Sequence, residues 1–223
     1  MIITFASSKG GVGKSTACAA TGGRLAVRGD SVFIVDLDQN RTVERWGRKA
    51  RIEGLTVRAI EREDFSSVFR EISSGGSVDH ILIDLAGARE TTALKAFARS
   101  DLVVIPAQAS EPDLREALVI SKDVRDVGDE IGRAIPYRLL LTKMSPLRTR
   151  VTEFAYQEMA RHGLPVFQTT MVERVAYKEM FLTGVPPAMT DKGGAGAEVA
   201  SLVAEMEAIA ATSQEHQPHQ MAG

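Results

Sequence analysis

Ten residues near the start carry the types that hold a polyphosphate: Ser7-Ser8-Lys9-Gly10-Gly11-Val12-Gly13-Lys14-Ser15-Thr16. Glycines let a backbone curl until several N–H groups point at one anion. A lysine closing such a turn reaches the β- and γ-phosphates of a nucleotide, and a hydroxyl beside it binds Mg²⁺. Lys14 and Ser15 stand in those places, with Gly10, Gly11, Val12, Gly13 and Thr16 as the rest of the cradle. The common pattern has glycine where Ser8 stands, and here a second lysine, Lys9, opens the turn instead.

Acids follow at spacings that suit the same chemistry. In Asp36-Leu37-Asp38-Gln39-Asn40 two carboxylates are separated by one residue, so on an extended chain they point the same way. Beside a phosphate cradle, one can hold Mg²⁺ through water and the other can orient an attacking water. His80-Ile81-Leu82-Ile83-Asp84 is an apolar run ending in an acid, and Asp84 is expected to support the Mg²⁺ shell together with Ser15 and Asp36. Leu85-Ala86-Gly87-Ala88 would follow as a second switch segment, with the Gly87 N–H available to a γ-phosphate.

The elements that must position these residues can be read from the apolar pattern. Short runs at 2–6, 31–36, 55–60, 80–85, 102–106, 138–142 and 166–169 read as strands, and helical patterns such as 13–27 fall between most of them. Such alternation argues for an α/β fold, a single-domain P-loop NTPase with a mainly parallel twisted sheet flanked by helices on both faces. Continuous apolar strands such as Val32-Phe33-Ile34-Val35 suit burial on both sides. Gly193-Gly194-Ala195-Gly196 reads as a loop before a closing helix at 198–210. The domain is expected to span 1–210, with the polar residues 211–223 as a disordered tail.

From Lys9 to Thr16 the chain reads KGGVGKST, which resembles the deviant Walker A motif of the ParA/MinD superfamily. The likeness runs over most of the chain and weakens after about Thr170. Residues 40–46 resemble small ParA-type proteins of plasmid partition and DNA transfer. The resemblance implies an ATPase with ATP and Mg²⁺ as ligands. In the family, the extra lysine, here Lys9, crosses a homodimer interface to the partner's nucleotide. The second acid of the pair, here Asp38, is needed for hydrolysis, so Lys9, Lys14 and Asp38 are the expected catalytic residues. The family has Pro-Gln after that acid, and this chain has Gln39-Asn40. Switch NTPases without a partner turn over at about 10⁻⁴ to 10⁻² per second, and the same is expected here. The resemblance further implies non-specific DNA binding, for which Arg148 and Arg174 sit at similar places, with Arg150 and Lys178 beside them. An adaptor protein would stimulate hydrolysis and link the ATPase to a DNA or other cargo.

Composition bounds these expectations. A formal charge of −2 over 223 residues excludes a bulk polycation, so nucleic-acid binding requires a local patch. Between residues 131 and 152 stand Arg133, Arg138, Lys143, Arg148 and Arg150 with no Asp or Glu; ordinary surface charge is the other account of them. The arginines from Arg41 to Arg62 are interleaved with Glu44, Glu53 and Glu61 and read as a solvated face. Trp46 reads equally as a partner contact or a core aromatic. The one cysteine, Cys18, excludes an internal disulfide and an iron–sulfur cluster borne by this chain, and is expected to be a small core residue.

The expected location is the cytoplasm, on the nucleoid when ATP is bound. The start shows no signal peptide, and its first strand leaves no room for a helix-turn-helix before it. A basic membrane-seeking C-terminal helix is not expected, because the last helix carries Glu198, Glu205 and Glu207 and no Lys or Arg. The rival to a DNA-riding switch is a small-molecule ATP-dependent enzyme of the dethiobiotin-synthetase kind.

Overall fold

The computed structural model describes residues 1–76, 78–85, 87, 91–147, 150–191 and 193–215, with backbone alone at 151 and 213–215. Strands β1 (Ile2–Phe5), β2 (Val32–Asp36), β3 (Leu55–Ala59), β4 (His80–Asp84), β5 (Leu102–Ala107) and β6 (Tyr137–Leu141) form one parallel sheet. Their order across the sheet is β3-β2-β4-β1-β5-β6. Between and after them come α1 (Lys14–Arg28), α2 (Thr42–Ala50), α3 (Phe65–Ser74), α4 (Thr91–Phe97), α5 (Glu111–Glu130), α6 (Arg150–Arg161), α7 (Val175–Thr183), α8 (Pro187–Thr190) and α9 (Ala195–Glu215). Parallel neighbours need crossover connections, which is why each strand up to β6 is separated from the next by helix or long loop.

The strands are apolar throughout because both faces are covered. Ile3, Phe5, Ile34, Leu82, Val104 and Leu140 pack with α1, α2, α7 and α9. Val35, Ile81, Ile83, Val103, Ile105 and Leu139 pack with α3, α4, α5 and α6. Trp46, 1% exposed, belongs to the first of these cores, so it is a core aromatic, and Cys18 lies fully buried in the same layer.

Parallel register brings acids from separate strands together. Phe5 of β1 pairs with Asp84 of β4, and Asp84 pairs in turn with Asp36 of β2. The three strand ends meet at the carboxyl edge of the sheet, where open α/β folds bind their ligands.

Several boundaries differ from the sequence reading. The run at 166–169 is not a strand: Val166 makes an isolated bridge to Leu139, and Phe167 N–H donates to Leu139 O. The next two amides, Gln168 and Thr169, donate to the Glu205 carboxylate instead of to a ladder. The helix expected from Gly13 starts one residue later, since Gly13 takes the left-handed φ of 89° and is the N-cap. The last helix begins at Ala195 rather than 198, because Asp191 accepts from Gly194 and Ala195 N–H and so caps it early. That helix also continues through Glu215, into the segment expected to be a disordered tail. Residues 216–223 lie outside the described residues.

Candidate nucleotide site

The cradle lies between β1 and α1, as its glycines require. Gly11 and Gly13 have φ of 80° and 89°, values that L side chains rarely adopt. A Cβ on Gly10 or Gly11 would meet nothing within 4 Å, so the turn is open on its outer side. Its inner side is clamped: Thr142, at the end of β6, donates its hydroxyl to Val12 O at 2.6 Å. Val12 itself is buried.

Lys14 and Ser15 converge on Asp84. Lys14 Nζ donates to Asp84 Oδ1 at 2.6 Å, and Ser15 Oγ donates to Oδ2 at 2.7 Å. Asp38 Oδ2 lies 3.8 Å from the same Lys14 Nζ. Asp84 is fully buried, and burial pushes its carboxyl above the usual range, against the pull of Lys14 and Ser15. A hydroxyl and carboxylates are hard oxygen donors suited to Mg²⁺. Among the described residues, no cluster of three or more His, Cys, Asp or Glu could hold a metal unaided. The fit is therefore to a Mg²⁺ shared with phosphate oxygens, with Ser15 and Asp84 on the protein side.

Asp36 has a different task from the one expected. Its carboxylate accepts the N–H groups of Asp38 at 3.0 Å, Val43 at 2.9 Å and Glu44 at 3.0 Å. It thus serves as a remote N-terminal acceptor for α2, whose own N-cap, Arg41, makes no side-chain cap bond. Asp38 in turn accepts Asn40 N–H at 2.9 Å, so the pair of acids folds the 37–41 loop over the cradle. The sequence reading gave Asp36 to Mg²⁺ and Asp38 to hydrolysis; burial also separates them, with Asp36 at 0% exposure and Asp38 at 22%.

Lys9 stays within its own chain. Its Nζ donates to Asp113 Oδ1 at 2.7 Å, in the first turn of α5, and Ser8 donates to Glu116 one turn later. Lys9 remains 39% exposed.

Beside the cradle a cleft is lined by Gly13 and Thr16, by Thr142 and Lys143, and by residues 171–174 with Tyr177 and Lys178. It opens directly next to the phosphate cradle. Thr142 and Lys143 follow the end of β6 on this side, whereas Pro106 is buried within β5. Arg174 and Lys178, expected on a DNA face, line this cleft and are ion-paired. Arg174 binds Glu198 at 2.6 Å, and Lys178 binds Glu173 at 2.9 Å. Arg133 donates to Ala98 O and Ser100 O, and Arg138 lies in β6, so the basic window of the sequence is dispersed. Arg150 is exposed at the start of α6, while Arg148, like Ala86 and Ala88, lies outside the described residues.

The family profile of the VirC1 protein matches residues 1–186. The chain belongs to the VirC1 protein family. A virC1 protein of Rhizobium rhizogenes is 30% identical to this VirC1-family chain over 80% of the chain and 79% of that protein. A ParA protein of Rhizobium radiobacter is 29% identical over 82% of the chain and 83% of its own length. Among solved structures, the septum site-determining protein MinD from Pyrococcus horikoshii, complexed with Mg-ADP, shares the fold. Its TM-score is 0.72 at 17% identity, over 95% of the VirC1-family chain and 98% of that one. The expected parallel P-loop fold and the ParA/MinD resemblance are both borne out, and at the family level this is a partition-type ATPase. Among the described residues no helix is long and apolar enough to cross a membrane.

Proposed function

We propose that this chain is a slow ATPase that dimerises around ATP, binds DNA without sequence preference, and moves or positions a DNA or protein cargo with an adaptor protein. The observation that carries the reading is the convergence of Lys14, Ser15, Asp84 and Asp38 under an open glycine turn. The Mg-ADP complex of the MinD neighbour supports nucleotide and Mg²⁺ as its ligands.

The chain's own residues divide the work. Cradle N–H groups and Lys14 bind the phosphates, and Lys14 leaves Asp84 for the β- and γ-oxygens when they arrive. Ser15 and Asp84 would hold Mg²⁺, which supplies charge neutralisation on the phosphate oxygens. Asp38, kept in place through Asp36, orients water toward the γ-phosphate. Lys9 must exchange Asp113 for the partner's nucleotide. Lys9 is 39% exposed and Asp113 only 9%, so the release uncovers a nearly buried carboxylate in the first turn of α5.

For DNA, Arg150 and Lys178 are candidate cations among the described residues. Lys178 is 71% exposed and its glutamate partner 57%, so phosphate can replace Glu173. Arg174 is committed to Glu198. A dimer doubles the patch and makes retention depend on ATP.

The test combines light-scattering chromatography with a DNA-retention assay in ATP, ADP and no nucleotide. Asp38→Ala is expected to bind ATP, form a stable dimer and retain DNA in a salt-sensitive manner. Lys9→Ala is expected to bind ATP and remain a monomer. A wild-type chain that stays monomeric in ATP, or retains DNA equally with ADP, overturns the reading.

A further inference from the structure

Residues 171–174 form one wall of the cleft beside the cradle. Leu141 O of β6 accepts Met171 N–H and Met144 O accepts Glu173 N–H, while carboxylates of α9 take donors before and between these. Glu205 accepts Gln168 N–H at 2.8 Å and Thr169 N–H at 2.7 Å. Two turns earlier on the same face, Glu198 accepts Val172 N–H at 3.3 Å, Arg174 Nε–H at 2.7 Å and Tyr177 O–H at 2.9 Å. Val172, Arg174 and Tyr177 all line the cleft, and Glu198 does not. Tyr177 is 7% exposed, so its ring is a fixed part of that wall. The cradle is held by other means, through Thr142 and Asp84.

We infer that Glu198 is a positioning residue for nucleobase recognition: it sets the wall that reads the base and leaves the phosphate cradle untouched. The inference rests on the nucleotide reading of the site. It also gives α9 a task in the ATPase, although the family match ends at residue 186, before this helix begins. The acids of this helix are engaged: Glu198 and Glu205 hold backbone N–H groups, and Glu207 pairs at the surface with Arg28 at 2.6 Å.

Calorimetric titration of the full chain with ATP, GTP and tripolyphosphate tests it. Tripolyphosphate fills the cradle and has no base. Glu198→Ala strands three donors and is expected to weaken ATP at least about tenfold. Its preference for ATP over GTP should shrink, with tripolyphosphate affinity unchanged. Equal weakening of ATP and tripolyphosphate, or no change in either, overturns the inference. Should Glu198→Ala lack a cooperative melt, Glu198→Gln decides. It keeps one acceptor oxygen for Val172 and Tyr177 and turns an amide NH2 toward Arg174 in place of the carboxylate oxygen. A loss of about threefold confined to the nucleotides upholds the inference, and an equal loss for tripolyphosphate overturns it. A wild-type chain that binds neither ATP nor tripolyphosphate refutes the nucleotide reading itself. Wild-type binding of both, with Glu198→Ala unchanged, refutes only the role of Glu198.

Discussion

Asp36→Ala separates the anchoring role of this acid from a metal-binding one. Asp36 is fully buried, and its carboxylate receives three backbone N–H groups. The bond to Val43 is buried, and an N–H left there without an acceptor costs about 1–3 kcal/mol. The bonds to Asp38 and Glu44 are only partly buried, so those amides can turn to water at about 0.5–1 kcal/mol each. One term opposes these losses: burial raises the Asp36 pKa, so its charge is costly to keep, and alanine removes that cost. The net loss is about 2–3 kcal/mol, a fall in Tm of about 5–10 °C for a chain of this length. Thermal melting by circular dichroism measures it without nucleotide or Mg²⁺. Amide exchange at Val43 and Glu44 is expected to quicken more than exchange in β1 or β5. A Tm within about 2 °C of wild type, with Val43 and Glu44 as protected as before, would falsify the anchoring argument.

Two further perturbations probe the buried charges. Lys14→Ala leaves Asp84 buried without its cation and is expected to cost about 3–5 kcal/mol in urea unfolding. Adding Asp84→Asn should recover at least about half of that loss, and simply additive losses would show the two groups uncoupled. His80 lies 3.3 Å from Asp30, and its pKa is lowered, chiefly by burial and then by the N-terminal ammonium, with Asp30 opposing. The unfolded chain therefore takes up this proton first as pH falls. Stability is full above the ordinary imidazole value of 6.5 and declines from there down to the folded pKa. Unfolding free energy measured between pH 5 and 8 should show that slope, and His80→Gln should flatten it. An unchanged slope in the variant would remove His80 as its source.

The chemistry was legible because it is local. Lys9 through Thr16 specify a phosphate turn by residue type and spacing, and the apolar runs around them specify buried parallel strands. The region after residue 166 was less legible. Val166 and Phe167 look like a strand, but the next acceptors in reach belong to Glu205, far along the chain. The surface cations misled for a related reason. A one-dimensional reading counts Arg133 and Arg174 as available charge, while the carbonyls of Ala98 and Ser100 and the carboxylate of Glu198 that engage them come from distant segments.

By itself the sequence determined the parallel α/β class, the cradle and the acids around it, since each depends on neighbours within a few residues. Tertiary structure alone decided how deeply each acid is buried and what it touches. Asp36 and Asp38 stand two places apart in the chain, yet register beside Asp84 and contact with α2 bury one completely and leave the other facing Lys14. Only packing could turn the glutamates of α9 into the acceptors that hold the cleft wall, because an unpaired buried N–H takes whichever acceptor the fold brings near.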